Sequence, residues 1–283
     1  MRGNMQNPLQ AEKRIPLNGK KDSLGTVWSA VAARVLGSWS MAVGEQRVFV
    51  GSVPLLRDRA KSIDSLSGLQ AIKEQLASQL WKEALCAGTV PSDRSLACLK
   101  PSRLSITRDA LGKPLAVGAE SSDVRLSFSY GKDRLWAALA RSPRHLGLDI
   151  AHPAEFQGSY PFHQAFHDED WLMVPDTCRQ SSSEAAAFLW SLKEAAVKSL
   201  GCGFHFLGPK ELLVAPWDMS REGKDFRIWI RPFDAHRARA LCEVEIHATS
   251  RRVGDARLAL ALCDRGAAEA FGQTTLPGNE RLP

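Results

Sequence analysis

Two hydrophobic periods alternate along this chain. Arg47-Val48-Phe49-Val50 alternates as a strand does, whereas Leu69, Ile72, Leu76 and Leu80 recur at helical spacing until Gly88 supplies a stop. Leu104-Ser105-Ile106-Thr107 leads into a turn-rich stretch, Arg108 to Pro114. Strands over Val124–Tyr130 and Arg134–Ala140 then flank Gly131-Lys132-Asp133, which predicts a hairpin with a three-residue loop. The second half has a similar order: a strand at Gly147–Ile150, a loop holding Pro153, Gly158 and Pro161, a helix over His163–Trp171, and a stronger helix from Glu184 to Gly201. Period-two strands return at Phe226–Ile230 and Cys242–Ile246, followed by an apolar run at Leu258–Leu262.

That order predicts a duplicated α+β unit, with one half over residues 22–143 and the other over 144–283. Residues 1–21 are polar, basic and aperiodic and are expected to form a flexible tail, with folded structure starting near Trp28 and a second loose tail from Gly266. On the Glu184 helix, Phe188, Leu189, Leu192, Ala196 and Leu200 gather on one side. Glu194 and Lys198 point the other way, with Trp190 one turn before them. A large aromatic off the apolar stripe needs a partner surface of its own, so this second face is expected to close a cleft.

Composition narrows the class. The 283 residues are 44% hydrophobic, enough to bury a sizeable core, and contain no apolar run of 18 residues and no signal-peptide core near the start. A soluble cytoplasmic protein without a membrane partner is the expectation. Six cysteines stand apart with no CxxC pair, which signals neither a zinc knuckle nor a disulfide framework. The net charge of +6 attracts polyanions such as coenzymes, acidic proteins or nucleic acid. Nucleic acid is set aside, because no basic segment is interleaved with aromatics and the pairs Lys20-Lys21 and Arg251-Arg252 read as solvated.

Candidate chemistry comes from two separated stretches. Asp149 sits inside the apolar Gly147-Leu148-Asp149-Ile150 run, and Glu194 and Lys198 lie one helical turn apart. Each has an ordinary explanation alone: a strand-ending turn residue, and a solvated ion pair stabilising the helix by about 0.2–0.5 kcal/mol. Together they read as a divalent-metal and phosphate site. His163 and His167 have half the spacing of a zinc site, but without HExxH they are assigned to the surface or to capping.

The stretches resemble the Sfp-type 4'-phosphopantetheinyl transferases. In order, the matching features are the turn Gly112-Lys113-Pro114, Ser129 on a strand, the strand Gly147–Ile150, and the helix Trp190-Ser191-Leu192-Lys193-Glu194-Ala195-Ala196-Val197-Lys198. The likeness spans roughly residues 104–203, and before Leu104 nothing specific to that family stands out. It implies a pseudo-twofold α+β monomer that moves 4'-phosphopantetheine from coenzyme A to a serine of an acidic acyl or peptidyl carrier protein, with Mg2+ as cofactor. By the same likeness Asp149 and Glu194 hold the metal, Lys198 assists the leaving diphosphate, and Lys113, Ser129 and Tyr130 contact coenzyme A, while Arg108, Arg94 and Arg103 are further coenzyme candidates only because they are basic and close in sequence to the Lys113 turn. Asp170, with Glu169 as its neighbour, takes the place of the family's proton acceptor before an aromatic.

Two positions depart from the family pattern. Ala151 stands where a second strand acid is usual, which leaves one carboxylate ligand fewer. Tyr130 replaces a histidine near the coenzyme phosphates and brings no charge at neutral pH. A degenerate relative that binds coenzyme A or a carrier without efficient transfer is the alternative reading.

Overall fold

This computed structural model describes residues 38–55, 66–87, 104–109, 112–117, 124–204, 206–216, 225–231, 244–264 and 266. The expected N-terminal tail and Trp28 lie outside these residues, as do Gly88, Arg94, Arg103 and Cys242; of the expected C-terminal tail, only Gly266 is described. The first half provides β1 (Trp39–Val43), β2 (Gln46–Pro54), α1 (Leu66–Cys86), β3 (Ser105–Arg108), β4 (Pro114–Val117), β5 (Val124–Gly131) and β6 (Arg134–Arg141). The second provides β7 (His145–Ala151), α2 (Phe162–Ala165), α3 (Asp168–Leu172), α4 (Ser182–Leu200), β8 (Leu212–Pro216), β9 (Asp225–Ile230), β10 (Glu245–Val253) and β11 (Ala256–Cys263). The strands form two antiparallel sheets, ordered β1-β2-β6-β5-β4-β3 and β7-β11-β10-β9-β8.

Alternation along the central strands sets the layers. Leu258, Leu260 and Leu262 of β11 and Leu146, Leu148 and Ile150 of β7 meet Val48 and Val50 of β2 and Trp136, Ala138 and Ala140 of β6, forming an apolar layer between the sheets. The opposite faces turn outward, where Ala259 and Ala261 pack under α4 and Gly51 of β2 packs under Leu76 and Leu80 of α1. Each sheet is therefore covered by one helix, in the order helix, sheet, sheet, helix. This is the α+β, pseudo-twofold class expected from the sequence. β11 is buried along its whole length because both of its faces are covered, which explains why it reads as an uninterrupted apolar run.

Several elements differ from expectation. The β5–β6 hairpin turns on two residues, since Gly131 pairs with Arg134. The helix expected over His163–Trp171 is broken into α2 and α3 by the extended backbone at Phe166. The break leaves the Ala165 carbonyl free to accept from the buried Lys193 ammonium at 3.4 Å. The strand expected at Cys242–Ile246 is described over Glu245–Val253. Three strands of four or five residues, β1, β4 and β8, were not foreseen, being too short to establish a period. Among the described residues, no helix is long and apolar enough to cross a membrane.

Candidate active site

α4 lies on β7 in near-backbone contact, and Gly147 permits it. A Cβ at Gly147 would stand 1.9 Å from the Ala195 carbonyl oxygen and 2.6 Å from the Ser199 nitrogen. Residues 147, 149 and 151 share the β7 face under this helix, so the same approach brings Asp149 beneath α4. The helix begins at Ser181, whose side chain accepts from the Glu184 N–H, and ends at Gly201 in the left-handed conformation at φ +89°. From Glu184 to Leu200 only Trp190, Glu194 and Lys198 escape full burial. These are the three residues that the 3.6 period placed off the apolar stripe.

They join Asp149 and Ser129 in one polar cluster. The Lys198 Nζ stands 2.7 Å from Asp149 Oδ1 and 3.1 Å from Glu194 Oε1, and it donates to Ser129 Oγ at 3.3 Å. Ser129 in turn donates to Asp149 Oδ1 at 2.8 Å. Trp190 Nε1 donates to Glu194 Oε2 at 2.8 Å, while its ring rests against Phe156, Tyr160 and Phe204 and fixes that carboxylate from the far side. Burial, above all, raises the Asp149 carboxyl to about 6, with the Glu194 charge adding to the rise and Lys198 opposing it. For Lys198, burial works to lower the ammonium, but Asp149 and Glu194 together outweigh it and hold it above the usual lysine value.

A cavity of about 550 Å³ opens over this cluster. Leu115–Arg125 is the one β4–β5 pair among the described residues, and the last half of β5, which lines the cavity, has no described partner on that side. The cavity wall includes Ser129, Tyr130, Asp149, Glu155, Glu194 and Lys198, together with Arg108 and Lys113 from the β3–β4 turn and Lys73 from α1. Lys113 borders the cavity but is engaged elsewhere: its Nζ donates to the Ser199 carbonyl at 3.0 Å and meets His145 Nδ1 at 2.7 Å. A cation is favoured at that helix end, and burial lowers the Lys113 ammonium to about 8. Arg108 and Tyr130 are exposed on the cavity wall.

Asp170 and Glu169 are not brought to this cavity. Asp170 is fully buried and receives the Lys193 ammonium at 2.5 Å, the His167 N–H at 2.8 Å and the Val214 N–H at 3.1 Å. Its carboxylate has no open side for a substrate hydroxyl and works as a structural anchor. Glu169 is exposed and pairs with Arg231 at 3.1 Å. Lys193, adjacent in sequence to Glu194, points about 100° away around the helix into the core. His167 precedes α3 as its N-cap residue and His163 is exposed, in keeping with the capping and surface roles expected of them. Sequence reasoning missed Glu155 and Lys73 as cavity residues. Neither belongs to a recognisable motif.

The donors fit a small hard cation. Both carboxylates already converge on one cationic nitrogen, and two carboxylates completed by water and phosphate oxygens suit Mg2+. Among the described residues no group of three or more His, Cys, Asp or Glu is arranged to hold a metal. Ala151, at the missing acid's position, is buried in the apolar cluster under α4.

No curated protein matches the chain. Among solved structures it is similar to one described as the Chronobacterium ammoniagenes ACPS-CoA complex, at 21% identity and a TM-score of 0.34, covering 42% of this chain and 96% of that one. Residues 145–262 match the family model described as ACPS, 4'-phosphopantetheinyl transferase superfamily. That segment, which resembles the 4'-phosphopantetheinyl transferase superfamily, runs from the strand carrying Asp149 through the helix carrying Glu194 and Lys198 and into β11.

Proposed function

We propose that this protein transfers the 4'-phosphopantetheine group of coenzyme A to a serine hydroxyl of an acidic acyl or peptidyl carrier protein, releasing adenosine 3',5'-bisphosphate. The observation that carries the reading is the Lys198 ammonium shared by Asp149 and Glu194 beneath an open cavity. Asp149 and Glu194 would hold Mg2+, which when bound supplies the charge neutralisation that a diphosphate needs before a hydroxyl can approach. Lys198 lies one turn from Glu194 and is placed to donate to the departing phosphate oxygen as its bond to phosphorus breaks. The serine oxygen forms the new bond to phosphorus, and its proton passes to a carboxylate facing the cavity. Asp149, Glu155 and Glu194 meet that condition; Asp170 does not.

The test is to incubate the protein with coenzyme A, Mg2+ and several apo carrier proteins and to follow carrier mass. A phosphopantetheine increment on any carrier supports transfer. The buried methyl of Ala151, where an acid is expected, favours a second reading in which coenzyme A binds without transfer. Measurable coenzyme binding with no increment on any carrier would establish that reading in place of the first.

A further inference from the structure

A second cavity, of about 460 Å³, opens where the apolar layer between the sheets reaches the β5–β6 and β10–β11 turns. Ile150, whose side chain leaves β7 on the face opposite to Asp149, borders it, so it lies across that strand from the carboxylate cluster. Alternation builds the wall. Trp39 of β1, Ser52 of β2, and Arg134 and Trp136 of β6 turn toward the same layer as Ile150. The two indoles meet edge to face with centroids 5.8 Å apart, and the Arg134 guanidinium sits 5.8 Å from the Trp136 centroid.

The polar groups of this wall are donors short of acceptors. Ser52 is fully buried and its Oγ accepts from Arg134 Nε at 3.2 Å and Nη2 at 3.0 Å, yet its own hydroxyl hydrogen has no acceptor among the described residues. The buried Trp39 Nε1 has none there either, and the remaining guanidinium nitrogen, Arg134 Nη1, is left over. His152 Nδ1 is buried without a hydrogen bond and stands 3.6 Å from the Asp255 carboxylate. A buried donor without an acceptor is costly, so the wall calls for a ligand that brings acceptor oxygens. An ammonium ligand fits less well: Arg134 already supplies the cation over Trp136, and the Asp255 side chain is 78% exposed. We propose that this cavity binds a small aromatic carboxylate, its ring against the Trp39 and Trp136 indoles and its carboxylate accepting from the Trp39, Ser52 and Arg134 donors. Its volume lies in the range of small-molecule sites, about 300–1,000 Å³. The site is separate from the one assigned to coenzyme A and does not depend on that assignment.

Calorimetric titration of the full chain with cinnamate, cinnamyl alcohol and cinnamylamine tests it, since the three share a planar ring and differ in the group offered to the donors. Cinnamate should bind more tightly than the alcohol by roughly ten- to hundredfold, the span of a charge-assisted hydrogen bond. Trp39→Phe keeps an aromatic face and removes the N–H; it should weaken cinnamate binding by roughly tenfold and leave the alcohol nearly unaffected, and Ser52→Ala should act in the same direction. No binding of cinnamate, or equal binding of acid and alcohol, overturns the proposal even if neither variant folds. Tighter binding of the amine overturns it in favour of an ammonium site. Unchanged cinnamate affinity in folded Trp39→Phe and Ser52→Ala proteins also sinks it, because the acid would then sit elsewhere.

Discussion

Asp149 does two things that pull in opposite directions. In the role proposed for it, it would have to be an anion to hold a cation, yet its burial raises its carboxyl from the ordinary 3.8 to about 6. Because the shift is upward, protons compete with the cation at a higher pH than for a solvated aspartate. Mn2+ or Mg2+ affinity is therefore expected to fall as pH drops from 7 through about 6 to 5, and direct cation titration at those values measures it; constant affinity over that range would show that Asp149 is not a ligand. Alanine at Asp149 or at Glu194 should lower carrier modification by roughly a hundredfold or more, the scale of losing one contact made in the transition state. Asp170 belongs to a different class. Asp170→Ala strands the buried Lys193 and should destabilise the fold by about 3 kcal/mol or more in denaturant titration. If Asp170→Ala unfolds at wild-type denaturant concentrations yet loses transfer, the residue acts in the reaction after all.

Among the elements, the β7–α4 contact does most to position the site. The helix can lie on the strand only because residue 147 has no side chain, and Gly147→Ala would drive a methyl into the backbone of α4 at Ala195 and Ser199. Backbone cannot yield as a side-chain end can, so this substitution is expected to lower thermal stability substantially, by about 3 kcal/mol, at the upper end of overpacking costs. Coenzyme affinity should fall with it, because Glu194 and Lys198 move away from Asp149. A Gly147→Ala protein with an unchanged melting temperature would show that α4 does not depend on the bare backbone at residue 147. The Trp190 ring has a gentler role. Trp190→Phe keeps the packing against Phe156, Tyr160 and Phe204 but removes the donor to Glu194, and should weaken cation binding with little change in stability.

For the whole molecule, the cavity takes its walls from both halves: α1, the β3–β4 turn and β5 on one side, β7 and α4 on the other. A ligand filling it bridges two sheets that otherwise meet through an apolar layer. Coenzyme A with Mg2+ at about a hundred times its dissociation constant is expected to stabilise the fold by about 2.7 kcal/mol, read as a rise in the melting temperature that chelation of the metal reduces. The reach of the sequence follows the same division. Helix α4 was readable in its outward trio and its end because its period and its Gly201 stop are local signals, whereas its start was read near Glu184 and the structure sets it at Ser182, capped by Ser181. The acids at Asp149 and Glu194 were readable because they stand in spaced motifs. The inward turn of Asp170 was not legible because adjacency to Trp171 does not say which way a carboxylate points, and its partner Lys193 lies 23 residues further along the chain. Lys73 carries no sequence signal of its place, because the helical period marks only the apolar positions of α1 and its ring partners belong to a strand more than fifty residues on.

By itself, then, the sequence determined the periodic elements, the α+β class and the side chains that α4 presents away from its stripe. All of these depend on backbone preferences and on side-chain order along a few turns or a few strand residues. Only the tertiary structure decided that the last half of β5 lines the cavity, that Asp170 turns inward to neutralise Lys193, and that Lys73 reaches the wall of the same cavity over the Phe128 and Tyr130 rings. Those outcomes depend on which surfaces pack together, and burial then sets which charges must be paired and which are left to act.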